Sequence, residues 1–334
     1  MVQGSDLVFG PLLDLLLRGV FVTATEAAAA AGLQAGQLHE ALDRLSMAGC
    51  VFDRHPQRGV RLVRSGLSAW SDYLAWRDVR RGDGRGRKIE VYGSVASTQD
   101  VVRRVIEAEG ERADAAVAVA DEQARGRGRL GRTWAAAAGT SVLVSRADVR
   151  TTRSDRRSAD RLLIAATVAV ADAIEKAVRP AKLDVRIRWP NDLMADGRKL
   201  AGILVERFEV NGCDAAVIGV GVNVTMTAAQ FADAGAELTA AATSLAMLGC
   251  GVDRLRVLAG VIDELDAAAA GDDMQNVADQ WRRRNSFADE LVRFQCDGKM
   301  VRGSVVDVDL EHGLMVRTQS GHVVALPSET TTIL

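Results

Sequence analysis

Residues 121–134 read DEQARGRGRLGRTW, a run from which no regular element is built. Four arginines (Arg125, Arg127, Arg129, Arg132) and three glycines (Gly126, Gly128, Gly131) alternate in it with almost no apolar filler. Glycine weakens helix and strand alike, and successive guanidinium groups repel one another. The run therefore predicts a loop. Its glycines let backbone N–H groups turn inward, and its arginines offer planar, permanently charged forks to phosphate or carboxylate. Gln123 and Trp134 bracket the charged part, one an amide that donates and accepts, the other a large flat face. Apolar stretches at 115–120 and 141–144 predict a strand on each side, which anchors the loop in a sheet. Composition alone leaves a solvated basic loop as the alternative.

A chain of 334 residues has room for two or three domains. Hydrophobic residues make up 48% and aromatics only 4%, so Ala and Val must do most of the core filling. A net charge of -2 supplies no global attraction to nucleic acid or to an anionic membrane. Cys50, Cys213, Cys250 and Cys296 are widely spaced and read as buried thiols of a reducing compartment. The N-terminus shows no charged leader pattern, and no apolar run approaches ~18 residues without a polar interruption. The expectation is a cytoplasmic protein with no membrane partner.

Patterning divides the chain at 1–65, 66–89, 90–285 and 286–334. In the first unit, apolar spacing and Gly stop signals predict helices at 11–18, 25–31 and 35–48, followed by a hairpin of 51–52 and 60–63. That order is the winged helix-turn-helix plan. The wing is basic (Arg54, His55, Arg58, Arg61, Arg64), but six Lys/Arg against six Asp/Glu over 1–65 cancel. Residues 66–89 read as a linker whose first half (Leu67, Trp70, Leu74) can lie on a neighbour. Its Arg/Gly-rich second half reads as a solvated hinge. The third unit predicts a helix after Ser97-Thr98-Gln99 with Val101, Val102, Val105 and Ile106 on one face, helices at 161–178, 254–270 and 274–284, and strands at 185–189, 200–208 and 215–224. The last two strands are continuous apolar runs of the kind buried on both faces. This is a mixed α/β (α+β) order without strict βαβ alternation. Residues 286–334 predict four short alternating strands joined by tight turns, a small antiparallel barrel.

The nine residues Gly126-Arg127-Gly128-Arg129-Leu130-Gly131-Arg132-Thr133-Trp134 resemble, in register, the GRGRxGRxW signature of biotin–protein ligases. Arg188-Trp189-Pro190-Asn191-Asp192 followed by Lys199-Leu200-Ala201-Gly202-Ile203-Leu204 resembles the family's KWPND…KLAGIL segment, with Arg188 where Lys is commoner. Gly219-Val220-Gly221-Val222-Asn223 resembles its GxGxN strand end. The resemblance implies a class II synthetase-like catalytic domain, an N-terminal winged helix-turn-helix and an SH3-like C-terminal β-barrel. It implies ATP-dependent formation of biotinyl-5′-adenylate and transfer of biotin to a lysine of a biotin carboxyl carrier domain, with Mg²⁺ beside ATP.

By the same resemblance, Ser97, Thr98, Gln99, Gln123, Gly126, Gly128 and Gly202 bind biotin. Arg127, Arg129 and Lys199 contact biotin and do the catalytic work of neutralising carboxylate and phosphate. Arg132, Trp134, Asn191 and Asn223 serve ATP; metal ligands are not named. Ser97 reads equally as a helix cap, Trp134 as a core tryptophan, and Asn191 and Asn223 as turn ties. Arg125 stands where the family is usually small, adding charge and bulk at the loop entrance. No Ser/His/Asp or Cys/His constellation is visible, and His39, His55, His312 and His322 all lie in the flanking units. A biotin-sensing DNA-binding regulator without ligase activity and a lipoate-type ligase are the alternatives. DNA binding is expected to be weak, with a homodimer as the assembly that would strengthen it.

Overall fold

The structure, a computed structural model, describes residues 9–81, 86–150, 157–271, 273–287 and 290–334. Its spine is the ladder between the two apolar runs, β8 (Arg198–Val210) and β9 (Cys213–Asn223), paired antiparallel from Ala201↔Val222 to Val210↔Cys213. Apart from Asp214, β9 is buried throughout, as are residues 200–203 of β8, and the far half of β8 is partly exposed. Five further strands complete a mixed sheet: β3 (Ile89–Val95), β4 (Val117–Gln123), β5 (Ser141–Arg150), β6 (Arg186–Arg188) and β7 (Asp192–Ala195). The order is β3-β4-β5-β9-β8-β7-β6, and β3–β4 is the parallel pair. Alternation along the strands sends Val117, Val119, Val142, Val144, Ile218 and Val220 to one face. There they pack with α6 (Ala159–Ala177) and α9 (Arg254–Ala270). The opposite residues Ala118, Ala147, Ala215 and Val217 pack under Val101, Val102, Val105 and Ile106 of α5 (Thr98–Glu109). Small side chains thus form a helix–sheet–helix sandwich with few aromatics.

The first unit contains α1 (Phe9–Leu16), α2 (Ala24–Ala31), α3 (Ala35–Met47) and a hairpin of β1 (Val51–His55) and β2 (Gly59–Arg64). A reciprocal Thr23/Glu26 capping box starts α2, and Gly32 in the left-handed region ends it.

The expectation of a solvated hinge is corrected. Residues Trp70–Arg81 form α4, with Trp70, Tyr73 and Leu74 buried. Arg77 and Arg81 pair with Asp263 of α9, and Arg81 also pairs with Asp266. Arg87 reaches Asp78 at 2.5 Å and Asp266 at 2.8 Å, while Arg146 of β5 approaches Asp266 at 2.9 Å. The charges that suggested solvation are neutralised by acids spaced along α9, invisible to a local reading. Part of the hinge, residues 82–85, lies outside the described residues.

The closed SH3-like barrel is also corrected. After α10 (Met274–Arg284) come β10 (Leu291–Cys296), β11 (Lys299–Asp309), β12 (Gly313–Thr318), β13 (Val323–Leu326) and β14 (Thr331–Ile333). They form an open sheet in the order β13-β12-β11-β10-β14. Between its edge strands, Pro327 has no N–H to offer. Ser328 N donates to Asp160 Oδ1 at 2.8 Å, and the Ser328 and Thr331 carbonyls accept from Arg129. The segment joining the two edge strands is thus bonded to the central domain, and β13 and β14 stay apart at opposite edges of the sheet.

Candidate active site

A cavity of about 1030 Å³ lies on the α5 face of the sheet, beyond that helix's first turn. Ser97, which begins α5 in extended conformation, and Gln99 are almost fully buried on its wall. Ser97 Oγ and Gln99 Oε1 have no hydrogen-bond partner. Burying such atoms unmet costs about 1–3 kcal/mol each, so the wall is built for a polar ligand. Thr98 is the fixed point. Its N–H donates to Gln123 Oε1 at 2.7 Å, and its hydroxyl pairs with Ser145 Oγ at 2.7 Å. Ser145 was not predicted. Its one signal is a hydroxyl inside an apolar strand run, where it is wholly buried.

The Gly/Arg loop closes on itself over this wall. Trp134 N donates to the Gly126 carbonyl at 3.0 Å and Gly128 N to the Arg132 carbonyl at 2.7 Å, with Arg127 and Thr133 in a β-bridge. A Cβ at Gly126 would stand 2.6 Å from the Trp134 carbonyl, so this closure requires glycine. Arg127 pairs with Asp100 at 2.7 Å and Glu206 at 3.1 Å. Burial opposes the Arg127 charge, but those two carboxylates outweigh it and hold its pKa above the ordinary value. Arg129 is the more deeply placed, and burial lowers its pKa. Arg132 is exposed at the cavity mouth.

Trp134 lies across two strands. A Cβ at Gly221 would come within 2.5 Å of its ring and one at Gly202 within 2.9 Å, which explains why these two strand positions carry no side chain. Lys199 Nζ sits 5.4 Å from the Trp134 ring centroid and 2.6 Å from Asp192 Oδ1. Asn191 Nδ2 donates to the Ile203 carbonyl at 2.8 Å, and Asn223 Nδ2 to the Thr243 carbonyl at 3.1 Å. All the expected site residues line the cavity except Gly126 and Asn223. Gly126 shapes the loop from behind, and Asn223 ties β9 to the segment ahead of α9. Arg188 also lines the wall, exposed. Sequence reasoning also missed residues on three elements: Glu237 and Leu238 of α8 (Ala236–Ala241), Ala234 ending α7 (Ala228–Ala234), and Thr332 and Ile333 of β14. Short Ala-rich helices and a Thr-rich tail carry no motif of their own.

The sequence pattern of the Biotin/lipoate A/B protein ligase family matches residues 79–223. Biotin–[acetyl-CoA-carboxylase] ligase of Mycobacterium tuberculosis is 34% identical over 236 residues, 69% of this chain and 80% of that protein. The bifunctional ligase/repressor BirA of Bacillus subtilis is 28% identical over 253 residues, 73% of this chain and 71% of its own. A biotin protein ligase from Aquifex aeolicus, solved in complex with biotin and ATP, shares the fold at a TM-score of 0.60 and 22% identity. That match covers 74% of this chain and 99% of the other. The chain belongs to the biotin–protein ligase family.

Proposed function

We propose that the protein activates biotin with ATP and transfers it to a specific lysine of a biotin carboxyl carrier domain. The observation that carries this is the convergence of Ser97–Gln99, the Gly/Arg loop and the Lys199–Gly202 strand end on one cavity. In the first step a biotin carboxylate oxygen bonds to the α-phosphorus of ATP, and the bond to pyrophosphate breaks. In the second, the carrier amine bonds to the acyl carbon, AMP leaves and the amine proton passes to solvent. Both steps call for neutralisation of charge around phosphate more than for a protein nucleophile.

Ser97, Thr98, Gln99, Gln123, Gly128 and Gly202 form the biotin wall, with Gly126 shaping the loop from behind, and the orphaned polar atoms of Ser97 and Gln99 suit a ureido head group. Arg127 and Arg129 exchange their protein partners for the carboxylate and the α-phosphate, and Lys199 turns from Asp192 to the same phosphate. Trp134 and Arg132 serve the nucleotide, while Asn191 and Asn223 act indirectly by tying the turns beneath it. Mg²⁺ would supply further neutralisation of the leaving pyrophosphate. It needs only one or two carboxylates when phosphates provide other ligands. Asp192 and Glu237 are carboxylates on this lining, and no three ligating side chains cluster among the described residues. An ion that arrives with ATP fits that donor set.

The units are read as a winged helix-turn-helix at 1–65, a connector at 66–89, the catalytic domain at 90–285 and an open C-terminal sheet at 286–334. The first of these binds DNA weakly, and a homodimer strengthens it by presenting two wings. Among the described residues no helix is long and apolar enough to cross a membrane. Four buried free thiols support a reducing, cytoplasmic setting.

Incubation with ATP, a carrier domain and either biotin or lipoate tests the function. Pyrophosphate release and a biotin-sized mass gain on the carrier are expected. Transfer of lipoate instead, or binding of biotin without pyrophosphate release, would overturn it.

A further inference from the structure

The first turn of α9 makes contacts that the proposed chemistry leaves unused. Arg254 is 8% exposed, and its Nη1 donates to Asp121 Oδ1 at 2.7 Å and to the Ser141 carbonyl at 3.3 Å. Asp121 stands in β4 two residues before Gln123, and Ser141 opens β5 after the loop. The Asp121 carbonyl also accepts from Gly139 N at 3.2 Å. One guanidinium therefore spans both stems from which the Gly/Arg loop emerges.

The same group faces the other way onto the connector. Its carbon lies 5.0 Å from the ring centroid of Trp70, at the start of α4. The buried Trp70 donates from Nε1 to Ser65 Oγ at 2.9 Å. Ser65 donates from both N and Oγ to Asp253, each at 2.7 Å. Asp253 caps α9 by accepting from Leu255 N at 2.8 Å. Neighbouring residues thus grip different bodies, Asp253 the end of the N-terminal unit and Arg254 the loop stems.

A buried ion pair gives little net stability over an apolar pair of the same shape, whereas a rigid fork with several partners fixes geometry. We propose that Arg254 is a positioning residue for the ligation reaction. It sets the spacing of the two loop stems, and through Trp70, Ser65 and Asp253 that spacing depends on how the N-terminal unit is seated. The proposal rests on the ligase reading for its catalytic consequence but not for the grip itself.

The test uses the full chain as Arg254→Ala, Arg254→Lys and Asp121→Asn, each checked for native near-ultraviolet circular dichroism. Trypsin cutting at Arg125 and Arg132 without ligand reads the grip. The split between KM for biotin and kcat for pyrophosphate release reads its consequence. Arg254→Ala and Asp121→Asn should be cut about tenfold faster and show KM raised about tenfold, since small misplacements of substrate-holding groups are costly. Their kcat should stay within about threefold, the mark of lost binding rather than lost chemistry. Arg254→Lys, which keeps the charge without the fork, should recover part of both. Folded variants with wild-type cutting rates and an unmoved KM would overturn the proposal. If Arg254→Ala does not fold, Asp121→Asn and Arg254→Lys decide by the same readouts. If the wild-type protein releases no pyrophosphate, the ligase reading falls, and the cutting rates alone decide whether Arg254 holds the stems.

Discussion

Lys199 has two neighbours that a motif cannot reveal, the Asp192 carboxylate at 2.6 Å and the face of Trp134. Together they hold the ammonium at the cavity wall without giving it a fixed bidentate geometry. A compact point charge on a flexible stem suits a phosphate whose charge shifts during attack. Lys199→Ala is expected to keep biotin binding near wild type while slowing adenylate formation by about 10²–10³-fold, the usual loss for one preorganised charge-stabilising group. Isothermal titration with biotin and a pyrophosphate-release assay check the two halves separately. Near-normal turnover would remove Lys199 from the chemistry. Trp134 shows how such residues become legible. Its partners Gly202 and Gly221 lie in two other motifs, and the missing side chains there are the imprint of its ring. Ser145 had no comparable imprint, since a serine in a strand signals nothing until Thr98 is placed against it.

At the scale of elements, the Gly/Arg loop was legible as a loop but not in what restrains it. Ordering a backbone residue costs about 1–2 kcal/mol, which for a Gly/Arg run in isolation only a ligand would offset. Here Asp100 and Glu206 hold Arg127, and the carbonyls of Ser328 and Thr331 hold Arg129. Arg125 and Arg132 remain exposed. Trypsin should therefore cut the ligand-free protein after Arg125 and Arg132 before the two held arginines, and biotin with ATP should suppress both cuts. Equal cutting with and without ligand would count against closure over the substrates. Arg129→Gly frees the loop from the C-terminal sheet, and it is expected to release adenylate into solution, detected as free biotinyl-5′-adenylate by chromatography. The strands and long helices were readable because their patterns are local. The open sheet was not, because the segment joining its two edge strands is held by Arg129 and Asp160, far from it in sequence.

The whole molecule is joined through α9, and acid should loosen that joint. Burial would raise the Asp266 carboxyl, but Arg146 and Arg87 outweigh it and hold its pKa below the ordinary value. A depressed folded pKa means that the stabilisation is complete above the unfolded carboxylate value. It is lost as pH falls through the lower folded value. Asp266→Asn should lower the melting temperature at neutral pH and flatten its fall on acidification. Parallel melting curves across the acid range would exclude this joint. The N-terminal unit that α9 anchors has its own charge arithmetic, and it bears on DNA. On the β1–β2 hairpin, Arg61 is paired with Asp53 at 2.8 Å and Arg54 with Asp43 at 3.7 Å. On α3, Arg44 is paired with Glu40 at 2.9 Å. Arg58 and Arg64 are exposed and have no acidic partner among the described residues, Arg58 lying over Phe21. Non-specific affinity comes mainly from phosphate neutralisation, with log K falling by about 0.9 per contact per log unit of salt. These two hairpin cations in each protomer then give a slope of about -2 for a monomer and about -4 for a dimer spanning two half-sites. Affinity for the protein's own upstream DNA, measured across a salt series with and without biotin and ATP, should be weak throughout. Its slope should double wherever ligand promotes pairing of two chains. Tight binding by a monomer that barely responds to salt would mean that the acids on α3 do not face the DNA and that this surface works in another way.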